Sequence, residues 1–135
     1  HHSRDPNLTL SEAFRVTRDQ GYFILVDRVH NNSLDSVELE AMLDVKYPKE
    51  FLIKNNIDPN TTFTRRENGE HEYRFAEWKM FFKNAGWSIK EYFLVLEKHE
   101  RNRNYVNDFD ASHEYVDFEI GGFERRKLVL IAQKN

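Results

Sequence analysis

Gly21-Tyr22-Phe23-Ile24-Leu25-Val26-Asp27 is the stretch on which the fold turns. A glycine breaks the preceding pattern, five apolar residues rich in aromatic and β-branched types follow, and an aspartate ends the run, which is the signature of a strand. The run is continuous rather than alternating, so it predicts an interior strand covered on both faces, as in parallel sheets. Upstream, Leu10, Ala13, Phe14 and Val16 recur at helical spacing, which predicts a helix from Leu8 to about Arg18. Thr9 or Asn7 is available there as N-cap, and Glu12 suits a capping box.

Downstream, Asn31-Asn32-Ser33 reads as a loop, and residues 36–43 as a helix with Val37, Leu39, Met42 and Leu43 on one side. Pro48 interrupts that pattern, and Lys49 to Asn55 reads as a separate helical turn. Residues 56–72 form a long irregular segment, of the kind that is often functional. Phe75, Trp78, Phe81 and Phe82 then mark a helix over 75–85, with Gly86 where a left-handed C-terminal glycine belongs; the stripe is read as core. Trp87 to Leu96 reads as a strand whose Lys90-Glu91 faces solvent. Residues 99–112 are polar and read as a loop or insertion. Val116, Phe118 and Ile120 alternate with acids, Gly121-Gly122 suits a two-residue turn, and 123–133 completes an antiparallel hairpin.

The chain has 135 residues, room for one core. Residues 1–6 look like the remnant of a purification tag and are set aside, which leaves 7–135 as one domain with a polar insertion about 98–114. Hydrophobic residues make up 39% and charged residues 32%, with a net charge of -3 and a pI near 6.1. That composition suggests neither a nucleic-acid nor a membrane partner. Arg65-Arg66 and Arg125-Arg126-Lys127 read as solvated faces. Without cysteine there are no disulfides and no thiolate chemistry, and a cytoplasmic setting is compatible. No run approaches the length of a membrane span.

The order helix, glycine, apolar strand, helical segment, aromatic helix, glycine, strand and final strand resembles the second half of the class I S-adenosylmethionine-dependent methyltransferase fold. Residues 10–27 look like that family's helix and fifth strand, with Gln20 standing where the first of two glycines usually lies. Residues 75–87 are similar to its last helix and the approach to the sixth strand, and 127–134 to its terminal seventh strand. The resemblance implies an α/β fold: a partial Rossmann-like mixed sheet, ending in an antiparallel hairpin and flanked by helices. It implies a parent enzyme that moves a methyl group to a small-molecule acceptor. The family's cofactor lies over a Gly-rich loop after the first strand. None of the five glycines here builds a G-x-G spacing ahead of a helix. The chain alone is therefore expected to bind no S-adenosylmethionine and to be inactive. The alternative is a non-catalytic protein-interaction module of degenerate methyltransferase fold. Strand 22–26, left without neighbours on one side, would favour a homodimer or strand exchange.

Two groups of residues are candidates for chemistry. Asp27 and His30 stand at the C-terminal end of the strand, where ligands of open α/β sheets collect, with His30 as base and Asp27 as its orienter; alternatively they are a strand cap and a loop residue. His71, Glu72, Tyr73 and Arg74 precede the aromatic helix and are candidate substrate contacts, or else capping residues. No H-x-x-x-H spacing is present, so no metal site is expected.

Overall fold

The computed structural model describes residues 1–97, 103–106 and 125–135. Helix α1, Pro6–Val16, starts earlier than the periodicity suggests. Its N-cap is Asp5, whose carboxylate accepts from Leu8 N at 3.1 Å, and Pro6 is buried at the first helical position. Neither Asn7 nor Thr9 caps it, and Glu12 pairs with Arg15 on the exposed side instead of closing a capping box. Residues 5 and 6, set aside on composition, are thus part of the fold.

The chain continues through β1 (Tyr22–Arg28), α2 (Ser36–Leu43), α3 (Lys49–Lys54), α4 (Phe75–Asn84), β2 (Ser88–Glu97), β3 (Arg103–Val106) and β4 (Arg125–Gln133). Helix α2 begins in a capping box between Asp35 and Glu38, at 2.8 and 3.0 Å. Leu39, Met42 and Leu43 are buried there, whereas Val37 is exposed, contrary to its expected place on the apolar side. Helix α4 ends at Gly86, whose φ of 89° is the left-handed conformation expected at that point.

The sheet order is β1-β4-β2-β3, and each described ladder is antiparallel. β4 lies between β1 and β2, so those two run parallel to each other without touching. Residues 103–106, expected as loop, form a short strand on the far side of β2. The strand 116–120 and the Gly121-Gly122 turn lie outside the described residues, as does most of the insertion at 98–114.

Phe23 and Leu25 of β1, Leu128, Leu130 and Ala132 of β4, and Ile89 and Tyr92 of β2 join α1, α4 and Trp87 in one core. A bulge at Lys90 shifts the register of β2 between Ile89 and Glu91. It lets Ile89 and Tyr92, of opposite parity, face the same side. Trp87 ties the layers together: its Nε1 donates to Leu10 O at 3.0 Å and its ring meets Phe14 edge-on.

Expected as an interior strand, β1 is instead an edge of the described sheet, and its burial alternates. Tyr22, Ile24 and Val26 are 62%, 61% and 59% exposed. Their face continues through Ile131 and Val129 of β4 to Phe93 of β2, and none of these residues belongs to the core. The apolar run that looked two-sided has one covered face and one open face.

The turn into β1 holds Gln20 at φ 62°. A left-handed backbone suits glycine, and here the place is held by a residue with a Cβ. Next to it Gly21 admits nothing larger, because an added Cβ would lie 2.7 Å from Arg18 O and 2.6 Å from a Thr17 methyl carbon.

Candidate functional site

The two groups of candidate residues, over forty positions apart, are neighbours in space. His30 forms a parallel bridge with Arg74: its N–H donates to Tyr73 O and its carbonyl accepts from Phe75 N, both at 3.0 Å. Trp78 of α4 fastens the same corner by donating from Nε1 to Arg28 O at 3.1 Å. The end of β1 and the segment ahead of α4 are therefore held in register by backbone bonds.

Within this corner lies a network of buried charge. Glu72 (side chain 1% exposed) meets His30 Nε2, the Arg65 guanidinium and Arg28 Nη1, the last at 3.0 Å. Glu70 (4%) meets Arg28 at 2.8 Å and Arg65 at 2.9 Å, and accepts from the Tyr47 hydroxyl. Two carboxylates thus face two guanidiniums, which is the condition under which charge tolerates burial. Burial and the bond to Glu70 push the Tyr47 phenol up to about 12, so it remains a neutral donor.

His30 and Asp27 do not pair, so Asp27 is not the orienter of His30; Glu72 occupies that position. The reason is the period of an extended chain: Arg28 and His30, two apart, turn toward Glu70 and Glu72, while Asp27 falls on the other side. Asp27 instead receives the α-ammonium of His1 at 2.6 Å, the His1 ring and its neighbour Arg28 N at 2.7 Å.

The four residues at 71–74 divide. Glu72 is the centre of the network. Tyr73 packs edge-on to Trp78 and Phe81, and its phenol is raised by burial and by nearby Glu77, Asp5 and Asp27. Arg74 is the N-cap residue of α4, its backbone N–H donating to Glu77 Oε2 at 2.8 Å, and its Nε donates to Leu34 O at 2.6 Å, tying α4 to the start of α2. His71 stacks on Tyr73 and gives its backbone N–H to His1 O at 2.8 Å.

Sequence reasoning missed Arg28, Tyr47, Arg65 and Glu70. The reading of Arg65-Arg66 as a solvated pair holds for Arg66, which meets Glu40 and Asp44 at the surface, and fails for Arg65, whose side chain is 11% exposed. The signal available in the sequence was Glu70-x-Glu72 opposite Arg28-x-His30, two period-two pairs of matching charge. Among the described residues no group of three or more His, Asp or Glu side chains is placed to hold a metal ion. No family model, curated protein or solved structure matches the chain.

Proposed function

We propose that the chain is the acceptor-side, C-terminal portion of an S-adenosylmethionine-dependent methyltransferase, inactive until a cofactor-binding half covers β1. The observation that carries this reading is the placement of β4. It runs antiparallel between β1 and β2, which are joined through α2–α4 and share one direction, the connection typical of open α/β sheets. The resemblance assigns these three to the fifth, seventh and sixth strands of the family, leaving β1 as the strand whose other neighbour is missing. The left-handed Gln20 supports it too, standing where the family's pattern has glycine.

In this reading the corner at the end of β1 is the acceptor side. His30, oriented by Glu72, is the candidate base for an acceptor that must lose a proton. The Arg28–Arg65–Glu70–Glu72 network holds that histidine in place. Methyl transfer itself is an in-line displacement governed by positioning, so the rigidity of the corner is its contribution.

The test compares this chain with one extended by the residues encoded upstream, using calorimetry with S-adenosylmethionine. The extended chain should bind and the present one should not. Binding by the present chain alone would refute the reading, as would an upstream sequence without a Gly-rich strand-loop-helix. A second reading, a non-catalytic interaction module of the same fold, is favoured by the open apolar row of Tyr22, Ile24 and Val26. An extended chain that lacks cofactor affinity yet buries Ile24 against a protein partner would select it.

A further inference from the structure

We propose that Asn68–Gly69 is a site of spontaneous deamidation, restrained in the intact fold by Tyr47 and Glu70, and that its product sets a further carboxylate against the buried charge network. Asn68 is the one asparagine of the chain that precedes a glycine. Gly69 is exposed, with φ 73°, and a Cβ built on it would meet nothing within 4 Å. No side chain of its own shields its backbone nitrogen from the neighbouring amide. In the reaction that nitrogen attacks Asn68 Cγ, the Nδ2 group leaves as ammonia and a cyclic succinimide closes. Water then opens the ring at either carbonyl, giving aspartate or an isoaspartyl link with a lengthened backbone. The ring closure is intramolecular, so its rate depends on how freely the two groups meet.

Two sets of bonds govern that meeting. Thr64 and Glu67 cap a single turn: the Thr64 N–H donates to Glu67 Oε2 at 2.7 Å and the Glu67 N–H to Thr64 Oγ1 at 3.2 Å. The turn closes with Gly69 N donating to Arg66 O at 2.9 Å and Glu70 N to Arg65 O at 3.1 Å, which engages the attacking nitrogen. Asn68 Nδ2 donates to the Tyr47 hydroxyl at 3.0 Å and to Glu70 Oε1 at 3.4 Å, which holds the leaving group. Arg66, Glu67 and Gly69 are exposed, and an exposed turn opens locally at far lower cost than the whole fold. Conversion reverses the polarity of the contact. A carboxylate accepts and does not donate, so position 68 would face Glu70, whose side chain is 4% exposed, as a like charge. Arg28 and Arg65 are already matched by Glu70 and Glu72, which leaves the added charge in excess.

The full chain and its Tyr47→Phe variant are incubated in mildly alkaline buffer, and proteolytic peptides are followed by mass spectrometry for amide-to-acid conversion. In the parent, Asn68 should convert faster than the exposed Asn55 and Asn60. Tyr47→Phe should raise the Asn68 rate about fivefold, the factor that corresponds to the ~1 kcal/mol of one such bond, and leave Asn55 and Asn60 unchanged. Conversion of Asn68 no faster than that of Asn60 overturns the proposal, as does a Tyr47→Phe rate that is unchanged or raised equally at all three positions. A comparison that needs no variant is unfolding in urea, which should accelerate Asn68 more than Asn60; equal acceleration overturns the restraint. Asn68→Asp, which installs the product directly, should lower the melting midpoint by at least about 3 °C, and an unchanged midpoint overturns the placement of the new charge against the network.

Discussion

Arg65 and Arg66 are adjacent and chemically identical, yet the structure separates them sharply. Replacing Arg65 by methionine keeps the aliphatic stem and removes the guanidinium that faces Glu70 and Glu72, whose side chains are 4% and 1% exposed. Arg28, 30% exposed, would then be the remaining arginine for two buried carboxylates. Breaking a buried pair in this way costs about 3–5 kcal/mol, because a charge is left uncompensated. For a domain of this size each kcal/mol moves the melting midpoint by about 3–5 °C, so the loss amounts to about 10–25 °C. Arg66→Met removes contacts to Glu40 and Asp44 that lie in water, and the midpoint should stay within about 2 °C of the parent. Scanning calorimetry of the two variants at pH 7 decides the matter. Repeating it in 1 M NaCl should leave the difference largely intact, since buried pairs are weakly screened. Equal shifts, or an Arg65 shift below about 3 °C, would refute the assignment of a buried network.

Gln20→Gly should stabilise the protein by about 0.5–1 kcal/mol in urea titrations, because glycine carries no penalty at φ 62°; a loss of stability would count against strain at that turn. Tyr47 has a folded-state pKa raised to about 12 from 10, so its contribution is complete below pH 10 and fades as pH climbs through 12. Tyr47→Phe should therefore narrow the difference between urea midpoints at pH 9 and pH 11.5, and an unaltered difference would contradict this. Light scattering should find concentration-dependent association of the parent through the open side of β1, abolished in Ile24→Lys with the melting midpoint preserved; a parent that stays monomeric at high concentration would exclude it.

The helices were legible because their punctuation is local. Asp35 with Glu38, Pro48, and Gly86 after an aromatic stripe each act within one turn, and α2, α3 and α4 stand where these residues place them. The start of α1 was missed because its cap, Asp5, lies in a stretch that composition marks as foreign. The position of β1 was legible, but its environment was not: a continuous apolar run looks the same whether a second layer is present or absent. Of the candidate site, His30 and Glu72 were visible as polar residues at element ends. Their partners were not, since the burial of Arg65 and Glu70 depends on how residues 56–72 fold back against β1, and no local pattern encodes that return.

The placement of β4 has a consequence for how the protein reaches its native state. The latest strand in the sequence is the one through which β1 and β2 are joined, and Tyr22 pairs with Gln133 across more than a hundred residues. β2 has a near neighbour in β3, but among the described strands β1 pairs with β4 alone, so its ladder waits for a loop of great length to close. Folding should be slow for so small a domain, and until it completes, the apolar strand Tyr22–Val26 has neither partner nor cover. During that interval an apolar strand with an unpaired edge is open to pairing with another chain.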